Sequence, residues 1–82
     1  MDELEAVLEE VREHSELKER KRGAFYLKSS GFLHFHEDPA GLFADLKTGE
    51  SFERFRVSTG RERRRLLSTI RALLNSSTRR PR

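Results

Sequence analysis

Apolar residues recur along the chain with two different periods, and the change of period divides it into elements. Near the N-terminus, the i, i+3, i+4, i+7 spacing of one helix face is carried by Leu4, Val7, Leu8 and Val11. Basic residues crowd the end of this segment and Gly23 follows them, as is typical of a helix C-terminus. We therefore predict a first helix over Glu3–Arg22.

The segments that follow alternate between apolar and polar residues, and turn residues bound each of them. They predict four strands, at Ala24–Lys28, Phe32–His36, Leu42–Lys47 and Ser51–Val57. A T-x-x-E capping box at Thr59 then predicts a second helix. Its apolar stripe consists of Leu66, Leu67, Ile70, Leu73 and Leu74.

The connections between these strands set a pairing register. We predict a three-residue loop at 29–31, a four-residue connection at 38–41 and a two-residue turn at 48–49. They predict the cross-strand pairs Phe25–Phe35, Leu27–Leu33, Phe35–Ala44, Leu33–Leu46 and Leu42–Phe55. One face of the sheet then collects Phe25, Leu27, Leu33, Phe35, Leu42, Ala44, Leu46, Phe55 and Val57.

The sequence thus predicts an α+β fold. The expected architecture is a two-layer sandwich of order α-β-β-β-β-α, with a four-stranded antiparallel meander and both helices on one face. We expect a single domain over residues 1–75. Residues 76–82 contain no apolar side chain and are rich in arginine, so they are predicted to form a disordered basic tail.

Composition narrows the class of protein. The chain has 82 residues and a net charge of +3, and it contains no cysteine, which excludes a disulfide framework and a cysteine-based zinc site. We find no apolar run of the roughly 18 residues that a membrane span needs and no signal peptide, so we expect a cytoplasmic protein with no membrane partner. The absence of glutamine, a single asparagine and the abundance of charge predict a thermophilic, bacterial source.

The polar side of the predicted sheet is unusually aromatic. Its candidate binding residues are Tyr26, Phe32, His34, His36, Phe43, Phe52, Arg54 and Arg56. Exposed aromatic patches mark interaction surfaces, and a small core without disulfides favours self-association. The leading hypothesis is a non-catalytic binding or assembly module that forms a homodimer or small homo-oligomer through this face. The alternative is single-stranded nucleic-acid binding, in which aromatic rings stack on bases and basic groups meet phosphates.

A second alternative concerns the histidines of the second predicted strand. His34 and His36 project to the same side, and the predicted register puts Asp45 opposite His34. Two imidazoles and a carboxylate can hold zinc or another divalent metal, although the same residues can also form a simple hydrogen-bonded cluster. No other cofactor is expected. We find no catalytic motif, which favours a non-enzymatic protein whose function the sequence leaves unknown.

Overall fold

The computed structural model of the chain describes the backbone of residues 3–78 and the side chains of residues 4–75. It contains two helices, α1 at Glu3–Val11 and α2 at Gly60–Thr78. The strands are β1 (Leu17–Lys21), β2 (Ala24–Leu27), β3 (Ser30–Asp38), β4 (Gly41–Lys47) and β5 (Phe52–Arg56). They form one antiparallel sheet in the order β1-β2-β3-β4-β5. The α+β class is confirmed, whereas the prediction of four strands is wrong.

The additional strand comes from the second half of the predicted first helix. That helix ends at Val11, and a turn follows in which His14 N donates to Val11 O at 3.0 Å and Leu17 N donates to His14 O at 3.1 Å. The chain then pairs with β2, with Lys18 opposite Tyr26. The helical stripe has no further apolar residue to bury after Val11, and an edge strand tolerates the charged sequence LKERK.

A network of charged side chains joins α1 to β1 and to the turn after it. Arg12 makes a two-pronged contact with Glu19, at 2.6 and 3.1 Å, and a second contact with Glu5 at 2.7 Å. Arg22 also reaches Glu5, at 2.9 Å. Hydrogen bonds from Arg12 and then Arg22 hold the pKa of the Glu5 carboxyl below its usual range. The Arg12 contact, with the Gly23 amide adding to it, also lowers the pKa of Glu19.

The hairpin between β2 and β3 differs from the predicted loop. Leu27 pairs with Ser30, so the turn consists of Lys28 and Ser29, and both have positive φ angles, of 52° and 75°. This is the left-handed pair that a tight hairpin requires. A bulge then places Phe25 opposite Leu33, so its predicted partner Phe35 is wrong by two residues. Leu27 lies on the other side of the bulge, and its predicted partner Leu33 is wrong by three.

The remaining two hairpins confirm one register and correct the other. Phe35 faces Ala44 and Leu33 faces Leu46, as predicted. In the last hairpin Phe55 faces Ala44 rather than Leu42, because the connection spans residues 48–51 instead of two residues. The partners of Phe25 and Phe55 are each displaced by two positions, which leaves both side chains on their predicted face.

The close contact between the start of β4 and the end of β5 depends on a glycine. Gly41 has a φ of +137°, and a Cβ built there would lie 2.6 Å from Ser58 Oγ. The same hydroxyl accepts a hydrogen bond from Leu42 N at 3.1 Å. Next to it, α2 begins with the predicted capping box, in which Glu62 N donates to Thr59 Oγ1 at 3.2 Å and Thr59 N donates to Glu62 Oε1 at 3.1 Å.

The buried apolar side chains form one cluster that includes residues of both helices and of four strands. From the helices it contains Leu4, Val7, Leu8, Val11, Leu66, Ile70 and Leu74. From the sheet and its end it contains Phe25, Phe32, Leu33, Phe35, Leu42, Ala44, Leu46, Phe55 and Val57. Leu27, predicted in the core, is only partly buried against it. The helix α2 extends through residues 76–78, which were predicted to belong to the tail, and residues 79–82 of that prediction lie outside the described part of the chain.

Candidate functional site

The strand positions that alternate with the core form a second surface, which we call the outer face. It consists of Lys18, Arg20, Ala24, Tyr26, His34, His36, Asp38, Phe43, Asp45, Lys47, Phe52, Arg54 and Arg56. Seven of the eight candidate binding residues predicted from the sequence are therefore brought together, Phe32 being the exception discussed below. The outer face extends across all five strands.

A row of stacked rings crosses the middle of the outer face. The rings of His34 and His36 lie 6.0 Å apart with 21° between their planes, and His36 and Phe43 lie 5.9 Å apart with 23° between theirs. The guanidinium of Arg54 covers the Phe43 ring at 5.9 Å from its centroid. Cation–π contact and stacking favour this arrangement of the side chains. The exposed ring of His34 is the free end of the row.

Asp45 is the carboxylate at the centre of this row. It accepts a hydrogen bond from Arg54 Nε at 3.0 Å, which raises the pKa of the Arg54 guanidinium above its usual value. The backbone pairing puts Asp45 opposite His34 as predicted, but the close approach is to His36, whose Nε2 lies 3.6 Å from Asp45 Oδ2. That buried nitrogen has no hydrogen-bond partner within the described residues.

This geometry bears on the metal hypothesis. Residues His34, His36 and Asp45 do share one patch, yet the two imidazole rings stack face to face. Within residues 4–75, we find no group of three or more histidine or acidic side chains arranged to hold a metal ion. Zinc binding here stays a prediction that rests on the sequence alone.

Phe32 is the predicted site residue that the structure places differently. The bulge in β3 inserts it between Gly31, opposite Tyr26, and Leu33, opposite Phe25. Its side chain is only 6% exposed and joins the buried cluster, so the expectation that it faces water is wrong. The bulge interrupts the alternation on which that expectation relied.

Beside Phe32 lies a shallow aromatic hollow that opens on the outer face. It has a volume of about 110 Å³, and its side walls include Tyr26, Phe32, His34 and Phe52. Phe52 is 53% exposed, and it is the large apolar side chain most open to solvent in the described part of the chain. An exposed aromatic ring beside an aromatic hollow is a surface on which another planar ring can stack.

Positive charge flanks the aromatic residues on both sides. On β1, the exposed Lys18 faces Tyr26 and the Arg20 guanidinium lies 5.3 Å from the Tyr26 ring centroid. On β5, Arg54 and Arg56 are exposed. The sequence reasoning missed Lys18 and Arg20 because it assigned them to a helix. The signal that could have revealed them is the strict alternation of inward Leu17 and Glu19 with outward basic residues.

No family model, curated protein or solved structure matches this chain. Neither of the two described helices has both the length and the apolar character of a membrane span.

Proposed function

We propose that the outer face binds single-stranded nucleic acid. The observation that carries this proposal is the exposed ring of Phe52 beside an aromatic hollow, on a surface with basic side chains at both edges. Aromatic platforms within a positively charged groove are the means by which proteins bind single strands with little sequence preference. Every base has a flat face, so one platform serves all bases.

The bases would occupy the centre of the face. Phe52 and His34 present rings that are open to solvent, and the hollow between them is walled by Tyr26 and Phe32. Phe43 is less available because His36 and Arg54 already contact its ring. Stacking on one such ring contributes about 1–3 kcal/mol per base.

Basic side chains at the two edges of the outer face would contact the phosphates. Lys18 and Arg20 belong to β1, whereas Arg54 and Arg56 belong to β5. With strands about 4.8 Å apart, these two basic rows lie roughly 19 Å from each other. Asp45 and Asp38 are the acidic residues at outer positions of β3 and β4, and Asp45 contacts Arg54 at 3.0 Å. Arg56 lies 4.0 Å from Glu62. Basic side chains outnumber acidic ones on the outer face, so the face attracts a phosphate backbone.

The proposal also requires that α1 and α2 cover the opposite side of the sheet, so that the outer face stays open. The single buried cluster that contains both helices and the alternate strand positions supports this arrangement. A nucleic-acid partner would place the protein in the cytoplasm.

Fluorescence polarisation with labelled oligo(dT) and oligo(rU) of about 12 nucleotides tests the proposal. We expect binding at low salt, and we expect Phe52→Ala to weaken it by about fivefold or more while Phe52→Tyr, which keeps the ring, retains it. Arg64→Gln, on the exposed side of α2, serves as the charge control. Absence of binding to both oligomers at low salt refutes the proposal.

Self-association through the same face is the second candidate, favoured by the 53% exposure of Phe52. A two-fold contact would, however, bring the basic edges of two copies together, which costs free energy. Light scattering coupled to size exclusion distinguishes the two functions. A dimer that Phe43→Glu converts to monomer, and that Arg64→Glu leaves intact, favours assembly, whereas a wild-type mass near 9.6 kDa excludes it.

A further inference from the structure

We propose that a second hollow, at the end of the sheet, binds a medium-chain aliphatic carboxylate. This end hollow lies where the β2–β3 hairpin, the β4–β5 connection and α2 meet, and its volume is about 250 Å³. Its side-chain walls are Leu27, Phe32 and Leu73, with Ser30 and Lys47 as the polar groups. The combination is an apolar slot that contains one cation.

The space in the end hollow comes from two glycines. Gly31 and Gly49 both line it, and a Cβ built on either would meet no atom within 4 Å. Pockets for drug-sized ligands measure roughly 300–1,000 Å³, so a slot of this size suits a smaller, narrow molecule. An unbranched aliphatic chain is such a shape and can lie against the leucine and phenylalanine side chains.

The polar groups select the charge of the ligand. Lys47 Nζ donates to Ser30 Oγ at 3.3 Å, which positions the ammonium beside the hydroxyl. The ammonium keeps further N–H groups, and the serine O–H can still donate, so the pair offers converging donors to a carboxylate. None of the described residues that line the end hollow is acidic. A carboxylate head with an apolar tail is therefore the complementary ligand class.

This site is independent of the proposed nucleic-acid contacts. The end hollow shares Lys47 with the outer face and Phe32 with the aromatic hollow. The proposed phosphate contacts (Lys18, Arg20, Arg54 and Arg56) and the exposed rings of Phe52 and His34 do not border it. Each proposal can therefore fail without the other.

The test is a titration of the isotopically labelled protein with octanoate, followed by backbone amide NMR. We expect saturable shifts at Ser30, Gly31 and Gly49 with a Kd on the order of 1 mM. Octanol, which has the same chain without the charge, should bind about fivefold more weakly. Lys47→Gln should weaken octanoate binding by about fivefold and remove its advantage over octanol, whereas Lys21→Gln should change neither.

Two leucines of α2 provide a matched pair for the apolar wall. Leu73 and Leu67 are both partly buried against the core, but only Leu73 lines the end hollow. Leu73→Ala should weaken octanoate and octanol alike by about fivefold, and Leu67→Ala should leave both unchanged. The proposal is overturned by an absence of saturable shifts, by shifts centred elsewhere, or by equal affinities of the wild type and Lys47→Gln for octanoate.

Discussion

Replacing Ser29 by glycine should stabilise the protein, although it removes a side chain. Ser29 has a φ of 75°, in the left-handed region. That conformation costs a residue with a Cβ about 1–2 kcal/mol, a cost that glycine does not incur. Glycine in turn loses about 0.5–1 kcal/mol more conformational entropy on folding. The difference predicts a net gain of about 0.5–1 kcal/mol for Ser29→Gly.

Two neighbouring substitutions supply the controls. Ser30 lies in β3 and is not among the residues with positive φ, so Ser30→Gly should destabilise the protein by about 0.5–1 kcal/mol. Gly31 also lies in β3, and a Cβ there would meet open space, so Gly31→Ala should be neutral or stabilising. Urea denaturation followed by far-UV circular dichroism measures the free energy of unfolding of all three variants. In thermal denaturation, a change of 1 kcal/mol corresponds to a shift of about 4–8 °C in Tm for a domain of this size.

The sequence-based loop at 29–31 makes the opposite prediction. In that loop Gly31 occupies the left-handed position, so Gly31→Ala would cost about 1–2 kcal/mol. A strongly destabilising Gly31→Ala together with a neutral Ser29→Gly would therefore refute the two-residue turn and the register that follows from it.

Three further predictions concern contacts away from the outer face. Arg12→Met should destabilise the protein at neutral pH but not in acid. Arg12 lowers the folded-state pKa of Glu5 and Glu19, so its ion pairs with them stabilise the fold above about pH 4.5. This stabilisation is lost as the pH falls through the lowered pKa values. Thr59→Ala, which removes the helix cap, should cost about 1 kcal/mol in urea denaturation. Gly41→Ala should cost about 1–3 kcal/mol, because it combines a left-handed φ with a clash against a serine hydroxyl, and Tm should fall accordingly.

For each of these three substitutions, one experimental outcome would contradict the prediction. A constant stability difference between Arg12→Met and the wild type from pH 7 to pH 2 would show that the ion pairs contribute nothing. Ser68→Ala, on an exposed position of α2, is the control for the cap and should be close to neutral. A wild-type Tm in Gly41→Ala would mean that the contact between β4 and Ser58 is absent.

The sequence predicted which face each strand residue occupies better than it predicted which residue lies opposite. Side chains alternate with a period of two, and the partners of Phe25 and Phe55 are each displaced by two residues, so both side chains remain in the core. Turn chemistry was the source of the error. Glycine was expected at the left-handed position, but the β2–β3 hairpin places Lys28 and Ser29 there.

The strand β1 could not be predicted from local preference. LKERK contains residues that favour helices, and its strand conformation depends on pairing with β2 and on the contact between Arg12 and Glu19. Both are tertiary effects. The site prediction suffered in the same way, because Lys18 and Arg20 belong to this strand and because the bulge removed Phe32 from the exposed surface.

The salt dependence of oligonucleotide binding is the most direct test of the proposed outer-face interaction. If Lys18, Arg20, Arg54 and Arg56 each meet a phosphate, the slope of log K against log salt for oligo(dT) should be about −2 to −3. Arg20→Gln should reduce its magnitude by about 0.7, and Arg64→Gln on α2 should leave it unchanged. A slope near zero, or one that changes with Arg64→Gln and not with Arg20→Gln, would contradict nucleic-acid binding by the outer face.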